Sequence, residues 1–189
     1  MDSDRIKWNR RFDSEDSFLG VNPSPFLSRE IDRIKRLVPG YNALDVACGE
    51  GRNSLFLAQN GFSVTGLDIS DVGLSKGGAR ATAAGVIIDF RQEDLNDYQI
   101  VEKYDLILNF NFLLRRLIPS EVEALNSGGL LLFDTILESP QLLASHNPSY
   151  FLKKGELTEI FESCSGDILF SEESEAGDMP TARILFRKS

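Results

Sequence analysis

The stretch Ala43-Leu44-Asp45-Val46-Ala47-Cys48-Gly49-Glu50-Gly51-Arg52-Asn53 decides the fold. Ala43 to Ala47 is an apolar run with one acid in it, which reads as a short buried strand. Gly49 and Gly51 then frame Glu50, and Leu55, Phe56, Leu57 and Ala58 continue as a helix. Strand, tight turn and helix in that order put the turn at the carboxyl end of a strand, where an open parallel sheet binds its ligand. Glycines there let the backbone come close to a ligand, and the N–H groups of the new helix face it.

The charge of the turn narrows the ligand. A dinucleotide fingerprint, G-x-G-x-x-G, needs a third glycine at position 54, where this chain has Ser54. Asp45 stands in the strand just before the turn. A carboxylate there repels a pyrophosphate and attracts an ammonium or a sulfonium. Both features argue against a nucleotide-dependent oxidoreductase and suit S-adenosylmethionine, which carries two cations and no phosphate. The pattern D-x-A-C-G-x-G from Asp45 to Gly51 resembles motif I of the class I methyltransferases. The longer string Cys48-Gly49-Glu50-Gly51-Arg52-Asn53-Ser54-Leu55, followed by Gly61-Phe62-Ser63-Val64-Thr65, is similar to the small tellurite-resistance, TehB-like, branch of that family. The resemblance implies an α/β fold: a three-layer, doubly wound, Rossmann-like sheet of about seven strands, mostly parallel with an antiparallel last strand. It also implies S-adenosyl-L-methionine as cofactor.

The bulk properties agree with a small-molecule enzyme. A chain of 189 residues is the size of one domain. Within it the expected division is an N-terminal helical or lid segment (1–40), a cofactor-binding core (41–135) and a substrate-side segment with the closing strands (136–189). There are 29 acidic against 20 basic residues, a net charge of −9, which disfavours nucleic acid and acidic membrane surfaces as partners. The two cysteines, Cys48 and Cys164, read as reduced thiols of a cytoplasmic protein. No apolar run reaches membrane length, and Met1-Asp2-Ser3-Asp4 has no signal-peptide character. No cluster of metal-ligand spacing appears.

Along the chain, residues 3–12 form a plausible short helix and Asp13 to Pro25 a loop. Ser28 to Val38 has the periodicity of a helix, ended by Pro39-Gly40. Later strands are expected over Phe62–Leu67, Val86–Arg91, Tyr104–Asn109, Leu130–Thr135, Asp167–Glu172 and Ala182–Phe186, the last two joined by an acidic turn from Glu173 to Pro180. Helices are expected over Asp71–Ala84, weakened by Gly73, Gly77 and Gly78, from Pro119 to Leu125 with Ser120-x-x-Glu123 as a capping box, and over Gly155–Ser163.

Candidate site residues follow from this frame. By resemblance, the turn residues Asp45, Ala47, Cys48, Gly49, Gly51, Arg52 and Asn53 hold the cofactor. Asp68, ending the second strand beside Ile69, is placed to accept hydrogen bonds from both ribose hydroxyls, or else to serve the helix start at Ser70. By resemblance, Asp94 accepts from the adenine amino group, with Ile69, Glu93, Leu95 and Asn109 as further cofactor-binding candidates; read alone, Asp94 is as good a turn residue. Asn109 and Asn111 end the fourth strand where methyl donor and acceptor would meet, or satisfy open backbone groups there. The absence of a Pro-Pro after them speaks against an amine of DNA or RNA.

Trp8 and Phe12 are either a lid on the cofactor or a staple to the core. His146, the only histidine, lies in the loop Glu138–Tyr150 and reads as solvated. Arg10, Arg11, Arg115 and Arg116 are candidate clamps for an anionic acceptor, or ordinary surface residues. Catalytic candidates are therefore Asn109, Asn111, Arg115, Arg11 and His146. The expected activity is methyl transfer to a small acceptor such as a thiol, an oxyanion or a chalcogen oxyanion. The competing reading is a non-catalytic S-adenosylmethionine-binding module working through a protein partner.

Overall fold

The computed structural model describes residues 2–14, 17–175 and 179–189. In chain order the elements are α1 (Asp2–Phe12), α2 (Pro25–Leu37), β1 (Asn42–Val46), α3 (Arg52–Gln59), β2 (Ser63–Asp68), α4 (Asp71–Ala83), β3 (Ile88–Gln92), β4 (Tyr104–Phe110), α5 (Ile118–Ala124), β5 (Leu125–Ile136), α6 (Pro140–Leu143), α7 (Glu156–Glu162), β6 (Gly166–Ser174) and β7 (Thr181–Lys188). The strands form one seven-stranded sheet of order β3-β2-β1-β4-β5-β7-β6. β3, β2, β1, β4 and β5 are parallel, and β7 runs antiparallel between β5 and β6. The order reverses at β1, so a crevice opens beyond the carboxyl ends of β1 and β4, as in other doubly wound sheets.

Both sheet faces are covered, which explains why β4 is buried at every residue. One face packs Leu44, Val46, Ile107, Leu131 and Phe133 against Val122 of α5 and Phe161 of α7. The other packs Ala43, Val64, Leu106, Leu108 and Leu132 against Phe26, Leu27, Ile34 and Leu57 of α2 and α3. Alternation along β1 therefore points Leu44 and Val46 to one helical layer and Asp45 to the other.

Several boundaries differ from the expectation. α2 starts a turn earlier than Ser28, because Pro25 sits in its first turn and Phe26 and Leu27 bury their side chains. β3 begins two residues late, since Val86 N–H still bonds back to Ala81 O of α4. β5 is longer than Leu130–Thr135 and includes Gly128 and Gly129. The capping box at Ser120 does not form: α5 begins at Ile118, so Ser120 lies inside the helix, and the N-cap, Leu117, has no side-chain cap. Parts of two expected segments, residues 15–16 of the N-terminal loop and 176–178 of the acidic turn, lie outside the described residues.

Two of the glycines expected to weaken α4, Gly73 and Gly77, have packing partners. A Cβ on Gly77 would come 2.9 Å from Phe90 Cζ, and one on Gly73 would come 3.0 Å from Gly49 O. Phe90, on the edge strand β3, also lies 2.7 Å from a Cβ built on Gly51 and 2.8 Å (Cδ1) from one on Gly66. One aromatic ring thus fills a socket of three glycines, and this draws α4 and the bend onto the sheet.

Candidate functional site

The bend after β1 is held by backbone bonds and one carboxylate. Ala47, Gly49 and Gly51 have φ of 54°, 57° and 71°, a left-handed succession that turns the chain sharply into α3. Cys48 N–H donates to Leu67 O at 2.9 Å, which ties the bend to β2. Asp68, buried at the end of β2, accepts from Gly49 N–H at 2.8 Å through one oxygen and from Ser70 N–H at 2.8 Å through the other. Ser70 Oγ in turn caps α4 by accepting from Gly73 N–H. Ser70 is therefore the cap of α4, and Asp68 serves the helix start through Ser70 N–H while bolting the bend through Gly49 N–H. Burial raises the Asp68 pKa above the ordinary range despite these two bonds.

Asp45 is also buried, on the α3 side, and accepts from Ser54 Oγ at 2.6 Å. Burial pushes its pKa up to about 7, with the Ser54 bonds and the Arg52 charge opposing. Cys48 is likewise pushed up, by burial first and by the neighbouring Asp45 and Asp68 charges next, so it is an inert thiol. Asp94, after β3, uses one oxygen to accept from Asn96 N–H and Nδ2, both at 2.9 Å. Its second oxygen is buried without a hydrogen-bond partner. Glu93 N–H bonds to Asp68 O, Gln92 Nε2 bonds to Ile69 O, and Leu95 is buried in the core.

At the end of β4, Asn109 is buried and donates Nδ2 to Glu121 Oε1 of α5 at 2.8 Å. Asn109 Oδ1 and Glu121 Oε2 are both buried without partners. Glu121 is fully buried, and burial pushes its pKa up to about 7. No sequence signal marked Glu121, since an acid in a helix's first turn usually faces water. Asn111 is exposed, takes φ 57° and donates its N–H to Asp134 O at 2.8 Å. Asp134, at the end of β5, pairs with Arg183 Nε at 3.1 Å.

The N-terminal segment lies against the bend. Phe12 is buried, and a Cβ on Gly49 would come 3.0 Å from its Cζ. Trp8, Phe12 and Phe18 contact one another with ring centroids 5.8 to 6.2 Å apart. Arg11 stacks over Trp8 and Phe18 at 5.0 and 5.4 Å, and Lys7 Nζ lies 5.4 Å from the Tyr150 ring. Three residues of the glycine motif serve this segment. Glu50 accepts from Ser17 Oγ at 2.6 Å and Phe18 N–H at 3.0 Å. Arg52 donates to Leu19 O at 2.7 Å, and Asn53 accepts from Ser24 N–H at 2.8 Å. The role of Glu50 was missed at the level of sequence, where it read only as the residue between two glycines.

Two of the candidate clamps are engaged elsewhere. Arg115 pairs with Glu156 and donates to the carbonyls of Ser149 and Phe151, which straps the loop before α7. Arg116 donates to Asn96 O at 2.6 Å. Arg10 is exposed on α1. His146 is exposed, shares a hydrogen bond with Ser145 Oγ and packs its ring edge-on to Phe151. Among the described residues no group of His, Cys, Asp and Glu could hold a metal ion, and no helix is long and apolar enough to cross a membrane.

The sheet order, the acid-flanked glycine bend and the acids after β2 and β3 are together the features by which a family can be tested. The family model described as tellurite resistance protein TehB matches residues 19–176.

The chain belongs to the TehB family.

Its TehB-family relatives include a Haemophilus influenzae protein named "Probable S-adenosyl-L-methionine-dependent methyltransferase TehB", 29% identical over 139 residues, 70% of this chain and 48% of that one. A ubiquinone biosynthesis O-methyltransferase from Pseudomonas entomophila is 31% identical over 156 residues, 77% of this chain and 66% of that one. The chain thus spans about half to two thirds of the length of these curated relatives. The crystal structure of Haemophilus influenzae TehB superposes with a TM-score of 0.71 at 26% identity, over 86% of this chain and 62% of that one. The N-methyltransferase NodS from Bradyrhizobium japonicum, solved with S-adenosyl-L-homocysteine, shares the fold at 19% identity and a TM-score of 0.73, over 97% of each chain.

Proposed function

We propose that this TehB-family chain is an S-adenosylmethionine-dependent methyltransferase acting on a small acceptor. The observation that carries the reading is where the donors and acids of the bend are directed. Gly49 N–H, which a dinucleotide fold would offer to a diphosphate, is already donated to Asp68. With that N–H already satisfied by a buried carboxylate, the bend has no free Gly49 donor for a diphosphate and suits a ligand without phosphate. The residues also fit the rest of that cofactor. Each Asp68 oxygen accepts one N–H and has lone-pair capacity left for a ribose hydroxyl, and Asp94 has a buried, unpartnered oxygen suited to an adenine amino group. Asn109, at the end of β4, and the Phe12 side of the bend would bound the methionine end.

When bound, the cofactor supplies a methyl group on a sulfonium, a leaving group that departs with the bond's electron pair and needs no proton. The protein's share is then alignment, which can be worth roughly 7–11 kcal/mol at its extreme. An anionic acceptor, a thiolate or an oxyanion including a chalcogen oxyanion, brings no proton to remove, so no general base is required. The family's tellurite-resistance description and the exposed cations Lys7 and Arg11, on the N-terminal helix that lies against the bend, support that class.

Calorimetry with S-adenosylhomocysteine tests the cofactor. Asp68→Ala should weaken binding by about tenfold or more, the effect of losing one strong hydrogen bond. Unchanged affinity in that variant would remove Asp68 from the site. Methyl release to thiols and oxyanions then tests turnover, and silence despite cofactor binding would favour the non-catalytic module.

A further inference from the structure

The carboxylate framed by the two glycines of the bend is not directed at a ligand. Glu50 is 6% exposed, and its Oε2 accepts from Ser17 Oγ at 2.6 Å and from Phe18 N–H at 3.0 Å. Its Oε1 has no hydrogen bond but faces Lys76 Nζ at 3.3 Å and Arg80 Nη2 at 3.5 Å, both on α4. Arg80 also donates to Glu50 O, and Lys76 donates to Ser14 O on the same N-terminal loop. One side chain therefore joins the bend, the loop after α1 and α4. The loop it holds carries Phe18, which packs edge-on to Phe12, whose ring reaches the Gly49 face of the bend.

We propose that Glu50 is a positioning residue, a latch that holds the N-terminal segment over the cofactor bend, so that ligand exchange proceeds through breaking of the Glu50–Ser17–Phe18 contacts. The identity of the exchanging ligand rests on the methyltransferase reading; the latch itself does not. A buried carboxylate fits this task for a physical reason. Against the opposing effect of burial, the Ser17 hydrogen bond and the two α4 cations lower its pKa, and an ionised acceptor bonds a hydroxyl and an amide more strongly than a neutral one. Lone contacts of the aromatic cluster could slide; two directed bonds to adjacent residues fix the loop's register on the bend. Arg52 and Asn53 secure the same segment further along, at Leu19 O and Ser24 N–H, so loss of Glu50 frees the loop locally rather than releasing α1 entirely.

Trp8 is the only tryptophan, and its ring contacts Phe12 and Phe18, so its fluorescence reads the segment directly. The experiment uses the full chain as wild type, Glu50→Ala and Ser17→Ala. It measures acrylamide quenching of Trp8 and, by stopped-flow displacement, the dissociation rate of S-adenosylhomocysteine. Glu50→Ala should at least double the quenching constant and speed dissociation about tenfold; Ser17→Ala, which leaves the bend intact, should speed it about threefold, the scale of losing one hydrogen bond. If Glu50→Ala loses its circular dichroism signal, Ser17→Ala carries the test alone. Folded variants with wild-type quenching and wild-type dissociation overturn the latch. Failure of the wild type to bind S-adenosylhomocysteine would sink the methyltransferase reading instead, with Trp8 quenching still deciding the latch.

Discussion

Replacing Glu121 by glutamine should stabilise the protein, and by more at pH 8 than at pH 5.5. Glu121 has no exposed surface, one hydrogen bond from Asn109 and one orphaned oxygen. Burial lifts its pKa from 4.5 to about 7. A raised folded-state value means that the native protein holds a proton which the unfolded chain releases. That stabilising proton is fully in place below 4.5 and is lost as pH rises through about 7. A shift of roughly 2.5 units at 1.36 kcal/mol each puts the wild type about 3 kcal/mol below a permanently neutral side chain once both states are ionised.

Glutamine keeps the shape and an oxygen for Asn109 Nδ2, and it has no proton to lose. Urea unfolding should therefore give a gap of about 1 kcal/mol at pH 5.5 and about 3 kcal/mol at pH 8 in favour of Glu121→Gln. Parallel stability curves for the two proteins from pH 5.5 to 8 would refute the account of Glu121 as a buried, unpaired acid. A variant less stable than wild type at pH 8 would show that the ionised form has a partner which the geometry does not supply.

Two further outcomes test the packing around the bend. Gly51→Ala should cost about 3 kcal/mol, from φ of 71° and the 2.7 Å approach to Phe90, and adding Phe90→Leu should recover only the steric part; equal melting of Gly51→Ala and wild type would count against the glycine socket. Arg183→Met leaves Asp134 buried without its cation and should cost about 3 kcal/mol at pH 8 and progressively less as pH falls, because burial already raises the Asp134 pKa and loss of the cation raises it further. A loss that does not depend on pH would mean that Arg183 acts through its aliphatic stem.

Much of the fold was legible because its signals are local. The apolar run into Gly49 and Gly51, the short strands with period 2 and the acids ending β2 and following β3 each sit within a few residues. The family resemblance implied about seven strands, mostly parallel with an antiparallel last one, and the sheet has that form; the strand order itself came only with the structure. Errors fell where a local signal was ambiguous. Ser120-x-x-Glu123 has the spacing of a capping box, but Pro119 had already started α5 at Ile118. Pro25 read as the end of a loop and is the first turn of α2. The clamps Arg115 and Arg116 could not be judged from sequence, because whether an arginine faces a cleft or a neighbouring loop depends on where that loop runs.

The sequence by itself determined the chain's kind: a strand, a glycine bend and a helix, in a mostly parallel sheet. Those features depend on backbone torsion and on polar or apolar alternation, which neighbouring residues settle among themselves. Only the tertiary structure decided how the bend's own side chains are used. Glu50 meets Ser17 across 33 positions and Asn53 meets Ser24 across 29. Phe90 closes a socket of glycines drawn from α4, β2 and the bend. Such partners are brought together by the collapse of separate elements onto one sheet, and no periodicity within the chain records which of them will meet.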